Sequence, residues 1–427
     1  MTIIKNIDEL RSESKIRKDA LEIIEVGYET IKTETVLGKK ISMQGDDIFI
    51  DNNTYAFSDY ENIYFIGIGK CAFEGAKVIE GIMGEKITDG VVLDVYAGIL
   101  KKIKSFKGTH PLPSNENISV TKQMVELLGN VTEKDLVIVL ISGGGSALLC
   151  LPHSIDCDAL IQITSELMKS GADINEINTV RKHLSEIQGG QLAELVYPAN
   201  IVSLIFSDVP GDDISVIASG PTVRDESTSD DARAVLDKYN ILEKCGIDNI
   251  KIKETPKDKK YFEKTKNILV VSNNDALNAM SDKAKNLGYE TEIRTSELSG
   301  YARDVGRVFA EEKKRSKYCL LAGGETTVKI EGKGKGGRNQ ECVLAAIPYL
   351  PEGRIFASVA SDGIDNTDAA GAIGDTDIFR KSNDMNINID DYLQENNSYE
   401  FFRNVGGQIK TGSTGSNVSD LLILLDD

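Results

Sequence analysis

The sequence predicts an α/β fold made of two three-layer α/β domains with largely parallel sheets. Short β-branched runs alternate with segments of helical periodicity. The runs are almost continuously apolar, so both faces of each strand must be covered, as in a parallel sheet between helices. Nearly every run also ends in Gly, Ser or Asp, the residues of loops that gather ligands at the carboxyl edge of open α/β sheets.

In chain order, residues 14–37 have the spacing of a leading amphipathic helix, able to pack on the second domain. Strands are expected at NIYFIGI (62–68), GVVLDV (90–95), DLVIVLIS (135–142), NIVSLIFSD (200–208), NILVVS (267–272), YCLLAGG (318–324) and RIFASVAS (354–361). Segments 158–170 and 228–245 read as crossover helices. KIKETPKDKKYFEKTK (251–266) is Lys-rich and almost free of aliphatic residues. It reads as a solvated connection between two domains, 1–245 and 267–427.

The 427 residues carry 49 Lys and Arg against 67 Asp and Glu, a formal charge of −18. That balance argues against nucleic-acid and anionic-membrane partners, so an anionic ligand must meet a local cluster of bases. The amino terminus, MTIIKNIDELRSESKIRKDALEII, breaks its apolar residues with charges and forms no signal-peptide core, which predicts a cytoplasmic protein. Cys71, Cys150, Cys157, Cys245, Cys319 and Cys342 form no CxxC pair and read as reduced thiols. His110, His153 and His183 have no zinc-site spacing. A homo-oligomer is left open.

Chemistry is expected in the loops. GIGKCA (67–72) follows a strand and satisfies G-x-G-x-x-A, with Asp94 near the end of the next strand, the arrangement of a dinucleotide fingerprint. Within it Gly69 precedes Lys70, whose ammonium offers another use, beside a phosphate or carboxylate. In LISGGGSALL, Ser142, Gly143, Gly144, Gly145 and Ser146 lead into a helix, so backbone N–H groups can approach an anion closely. SGGGS does not match the hydrolase elbow G-x-S-x-G. Asn178 and Arg181, three apart in NTVRKHL, can share a helix face and grip one oxyanion.

Asp208, Asp212 and Asp213 follow a strand, and Asp208 and Asp212 are the candidate Mg²⁺ ligands, since that ion needs only one or two protein carboxylates. After a further strand and an expected hairpin come Gly323, Gly324, Glu325, Lys333, Gly334, Lys335, Arg338 and Asn339, with Arg338 and Asn339 opening a helix. Such a basic, glycine-rich tract in an acidic chain suits a polyphosphate or a transferring phosphoryl group. Asp362 leaves the last expected strand in SDGID, where a carboxylate can orient a hydroxyl or hold a metal.

GIGKCA, THPLPSNENI, LISGGGSALL, NTVRKHLSEIQGGQLA, SDVPGDDISVIASGPT, GGETTVKIEGKGKGGRNQE, SDGIDNTDAAGA and TGSTGSNVSDLL, in that order, resemble the glycerate 2-kinase family. The resemblance spans about Lys18 to Leu425. It implies an amino-terminal glycerate-kinase domain of Rossmann-like form, a carboxyl-terminal MOFRL domain, and an active site in the interdomain cleft. It also implies transfer of the ATP γ-phosphoryl group to the 2-hydroxyl of D-glycerate with Mg²⁺. By position, Lys70 matches the family's active-site lysine, Arg338 its cleft arginine and Asp362 the acidic position of the second domain. The Ser142–Ser146 loop would serve nucleotide phosphates or the substrate carboxylate, and Arg181 would bind the glycerate carboxylate. The chain departs from the family pattern at Asn366, where Gly is common, and at Ser413 and Ser416 in a motif that usually reads TGPTGTN. Some members carry the label hydroxypyruvate reductase, so an NAD(P)H enzyme is the alternative, ahead of a non-catalytic binding protein and beside a kinase of a related hydroxy acid.

Overall fold

The computed structural model describes residues 2–11 and 14–427, so the readings made from Met1, Ser12 and Glu13 lie outside the described residues. The chain forms two compact units: Val36–Ser207 with Asp213–Val270, and Met1–Thr35 with Asp208–Asp212 and Val271–Asp427.

The first unit begins with a small antiparallel sheet of β1 (Ile41–Gln44), β2 (Asp47–Ile50) and β3 (Asn53–Ala56), too short to stand out in the sequence pattern. Its main sheet comprises β4 (Asn62–Ile68), β5 (Asp89–Asp94), β6 (Ile103–Lys107), β7 (Asp135–Ile141), β8 (Asn200–Phe206) and β9 (Thr265–Val271). The spatial order is β6-β5-β4-β7-β8-β9, and the pairings from β6 to β8 are parallel. This is the doubly wound order, with its reversal between β4 and β7. Every residue of β7 is buried, and each large aliphatic side chain there contributes roughly 1.5–3 kcal/mol over exposure. A charge at Val139 would break this layer.

The Lys-rich segment 251–266, though largely exposed, lies within the first unit and does not join the two. Thr255 and Pro256 are buried, the Thr255 hydroxyl donates to Asp225 at 3.1 Å, and Lys257 donates to the Asp225 carbonyl at 2.8 Å. Lys253, Lys257 and Lys264 find acceptors elsewhere in the first unit, so the segment straps that unit and delivers β9 to its sheet. The border between units therefore falls at the end of β9, after Val270.

The second unit holds β10 (Glu290–Leu298), β11 (Tyr318–Gly324), β12 (Arg354–Ala360), β13 (Gly371–Gly374), β14 (Gln408–Ile409) and β15 (Asp420–Asp426), ordered β10-β11-β15-β12-β13-β14. Only β10 and β11 pair in parallel; the remaining pairings are antiparallel. This corrects the expectation of a largely parallel second sheet. The final strand, DLLILLD, inserts antiparallel between β11 and β12, and the short return from β12 to β13 has no room for a crossover helix. The sheet still has two covered faces. Leu422 and Leu424 join Val343 and Phe402 in one core, while Leu421 lies against Gly27 of the leading helix.

That leading helix is two helices, Lys15–Ile31 and Thr33–Lys40, and the first packs on Asn273–Asn286 in this unit. The hairpin expected after β11 is absent: residues 325–337 form a loop, held to the end of β10 by the Glu325 amide on the Leu298 carbonyl at 2.8 Å and by an isolated bridge, Tyr301 to Thr327.

Candidate active site

In the first unit, β4 and β7 run side by side with Ile68 opposite Ile141, so the turns that follow emerge together at the switch point. The Ser142 amide donates to the Ile68 carbonyl at 2.9 Å and the Lys70 amide to the Gly143 carbonyl at 2.9 Å. Cys71 N–H adds a bond to the Ser142 hydroxyl at 3.3 Å. Gly69, at φ +114°, approaches so closely that a Cβ would overlap Ser142. Gly144, at φ +81°, leaves room where a Cβ would stand 3.1 Å from the His110 ring and 3.2 Å from the Lys70 side chain. The Lys70 stem, the His110 ring and the glycine loop thus converge around Gly144.

Gly145 opens the short helix Gly145–Leu148. Next to it, the Ser219 hydroxyl stands 3.2 Å from the Ser146 hydroxyl and donates to Asn178 Oδ1 at 3.3 Å. Asn178 is buried, and its side-chain oxygen is occupied by this contact with Ser219. Arg181 lines a cavity of about 230 Å³ together with Ser146, Leu149 and Leu184. Burial lowers its pKa, and among the described residues no side chain forms an ion pair or hydrogen bond with its guanidinium.

In the second unit, β15 starts at the edge where β11 and β12 end, because it runs opposite to both. Register places Asp420 beside Gly324 on one side and Ala360 on the other. Arg338 opens the helix Arg338–Ala346 and reaches Asp420 through Nε at 2.6 Å and Nη2 at 2.9 Å, while Nη1 lies 3.0 Å from Glu325. Burial would depress the arginine's pKa, but the charges of Asp420, Glu325 and Asp365 raise it on balance. Burial pushes the Asp420 carboxyl up to about 6, with Arg338 and Asn339 pulling it down.

Asp365 holds the start of the same helix, accepting from the amides of Asn339 at 3.0 Å and Gln340 at 2.8 Å; burial raises its pKa. Asn339 is buried, with its side chain on Asp365 and Ser358. Gly323 and Gly324 end β11, and the Gly334 amide donates to the Glu395 carbonyl at 2.7 Å. Lys335 lies over the Tyr399 ring, 4.3 Å from its centroid. Gly334 and Arg338 border a hollow of about 470 Å³.

Asp362 accepts the Ile364 amide at 3.0 Å, and its carbonyl accepts the Thr414 amide at 3.1 Å. Asp208 accepts from the Asn417 side chain at 3.0 Å, and its carbonyl accepts the Ser419 hydroxyl at 2.6 Å. The turn 411–419 therefore links Asp362, Asp208 and Asp420. Beneath them lies Tyr28, whose phenol is raised by burial and by the charges of Asp362 and Asp420.

The family described as "Domain of unknown function (DUF4147)" matches residues 19–252, and the MOFRL family matches residues 318–420. A protein named D-glycerate 2-kinase from Thermotoga maritima is 39% identical over 383 residues, 85% of this chain and 90% of that protein. A glycerate 2-kinase from Pyrococcus horikoshii is 38% identical over 410 residues, 90% of this chain and 91% of the relative. A solved glycerate kinase structure from Thermotoga maritima superposes with a TM-score of 0.83 at 34% identity, over 96% of this chain and 99% of that one. The chain belongs to the glycerate 2-kinase family.

The dinucleotide-like look of GIGKCA in this glycerate 2-kinase-family chain has a structural explanation. Asp94 does not face a ribose. It is buried and accepts the amides of Phe73 at 2.9 Å, Val95 at 2.5 Å and Tyr96 at 3.3 Å, tying β5 to the start of the helix Ala72–Met83. Burial pushes its carboxyl up to about 6 against those bonds.

Asp208 and Asp212 both carry hard carboxylate oxygens, the donor type that Mg²⁺ takes, and Asp208 is fixed by the Asn417 side-chain amide. Among the described residues no group of three or more His, Cys, Asp or Glu side chains could cage a metal. No helix among them is long and apolar enough to cross a membrane. Sequence reasoning missed His110, Asp420, Asn417 and Tyr28 as site residues. Asp420 had a signal, an acid opening the last apolar run.

Proposed function

We propose that the protein transfers the γ-phosphoryl group of ATP to the 2-hydroxyl of D-glycerate, giving 2-phosphoglycerate and ADP. The observation that carries this reading is the lysine-bearing turn at the switch point, Lys70 tied to Gly143, in a chain aligned over most of its length with D-glycerate 2-kinases.

Phosphoryl transfer asks a protein mainly for positioning and charge neutralisation. The Ser142–Ser146 backbone and Lys70 hold phosphate oxygens. Arg338, kept in one orientation by Asp420 and Glu325, takes charge that builds on the transferring group. The glycerate hydroxyl oxygen bonds to the γ-phosphorus as the bond to the ADP oxygen breaks, and Asp362 orients that hydroxyl and accepts its proton. Asp208 and Asp212 would hold Mg²⁺, which supplies electrostatic neutralisation of the phosphates when bound. Both substrates are small cytoplasmic metabolites, and we place the reaction there.

The test is ADP release followed with D-glycerate, L-glycerate and no acceptor. Release that depends on D-glycerate supports the reading. Release at the same rate without an acceptor contradicts it.

A further inference from the structure

The cavity beside the Ser142–Ser146 loop has no part in the chemistry above, and its walls are mostly apolar, with Pro111, Leu112, Leu151, Ile161 and Met168 around the single charged residue Arg181. We propose that this cavity receives the purine base of the nucleotide, with the triphosphate running from Ser146 along the glycine loop to Lys70. The inference rests on the kinase reading and adds to it which substrate each part of the first unit binds.

Continuity of the chain carries the argument. Ser146 belongs both to the glycine loop and to the cavity wall. His110 stands beside Gly144, and the residues that follow it, Pro111 and Leu112, form the facing wall. One ligand reaching from Lys70 into the cavity must therefore be anionic at one end and apolar at the other. A nucleotide has that shape. Glycerate does not, since each of its three carbons carries oxygen and would lose hydration against an apolar wall.

Size and exposure agree. At about 230 Å³ the cavity is smaller than a pocket for a whole drug-sized ligand, so it suits one part of a larger molecule. Leu112 and Met168 at its mouth are more than half exposed, apolar surface that a flat ring would cover. The Arg181 guanidinium, planar and weakly hydrated, is the cation suited to lie over an aromatic face. This assigns Arg181 to the nucleotide, where the sequence had pointed to the carboxylate of glycerate.

Thr164 lines the cavity from a half-buried position outside the local core, so Thr164→Trp fills the space without removing a core side chain. Initial rates and inhibition by ADP and by pyrophosphate are measured for the wild type, Thr164→Trp and Arg181→Lys, and folding is checked by thermal melting. Calorimetric titration of each with ADP provides a readout independent of turnover. Wild-type protein is expected to bind ADP more tightly than pyrophosphate. Thr164→Trp is expected to raise the ATP KM by about tenfold or more, roughly 1.4 kcal/mol, and to erase the preference for ADP, while the D-glycerate KM holds. Arg181→Lys, which keeps the charge and loses the plane, is expected to weaken ADP and leave pyrophosphate unchanged. A folded Thr164→Trp protein with unchanged affinity for ADP overturns the proposal, and a rise confined to the glycerate KM does so by giving the cavity to the acceptor. Either result leaves the kinase reading standing. Should the wild type fail to phosphorylate glycerate, the kinase reading falls, and ADP titration still decides the cavity.

Discussion

Arg338 and Asp420 form a two-pronged ion pair, Nε 2.6 Å from one carboxylate oxygen and Nη2 2.9 Å from the other. The contact exists because the last strand enters the second sheet antiparallel, bringing its first residue to the edge where Arg338 begins a helix. Asp420 is buried and Arg338 is partly open, so the acid fixes the direction of the base.

Asp420→Asn keeps the shape and removes the charge. Turnover should fall by about 10²-fold as the guanidinium loses its orientation. Because the Asp420 carboxyl is raised to about 6, wild-type activity should decline as pH drops through that value. A pH–rate profile of the variant should lack that acid limb; an unchanged limb would assign it to another group.

Lys70→Ala and Arg338→Ala should each lower kcat by roughly 10²–10³-fold; Arg338→Ala should also lower the melting temperature, because it strands the buried Asp420 carboxyl. A near-normal kcat in either variant would remove that residue from the mechanism.

Gly69 and Gly144 should respond differently to alanine. At Gly69 the new Cβ overlaps Ser142, including its backbone, so loss of folded protein is expected. At Gly144 the neighbours are side chains 3.1–3.2 Å away, so the cost should be the left-handed backbone, about 1–2 kcal/mol, with a larger loss in rate. Urea melts and steady-state rates on both variants distinguish the two effects.

Most strands of the first sheet were legible because they read as nearly unbroken apolar runs; Asn62–Ile68 in that sheet and Tyr318–Gly324 in the second were placed to the residue. The direction of β15 was not legible, since an apolar run does not say which neighbours it will pair with. That 251–266 belongs to the first unit was not legible, because Lys257 and Lys253 meet Asp225 and Glu186, partners distant in sequence. Lys70 and the Ser142–Ser146 loop were legible from their place after strands. Asp420 and His110 became site residues only through tertiary neighbours.

Asp94 should behave as a structural acid. Its folded pKa, about 6, lies above the ordinary value, so it stabilises below the ordinary range and loses that contribution as pH rises through about 6, a difference of roughly 3 kcal/mol. Chemical denaturation from pH 4 to pH 7 should show this slope, and Asp94→Asn should flatten it. Neither protein should oxidise NADH with hydroxypyruvate, followed by absorbance.

Asp208→Asn should raise the Mg²⁺ concentration needed for half-maximal rate by about tenfold or more and leave the D-glycerate KM unchanged. Chelation should abolish activity, and added Mg²⁺ should restore it. An unaltered Mg²⁺ requirement in the variant would move the ion to other ligands.

Phosphorus-31 NMR of the purified protein with D-glycerate, ATP and Mg²⁺ tests the central claim most directly. A new phosphomonoester resonance assigned to 2-phosphoglycerate, growing in step with ADP, is the expected result. A 3-phosphoglycerate resonance would contradict the assigned hydroxyl, and no phosphoester at all would contradict the kinase.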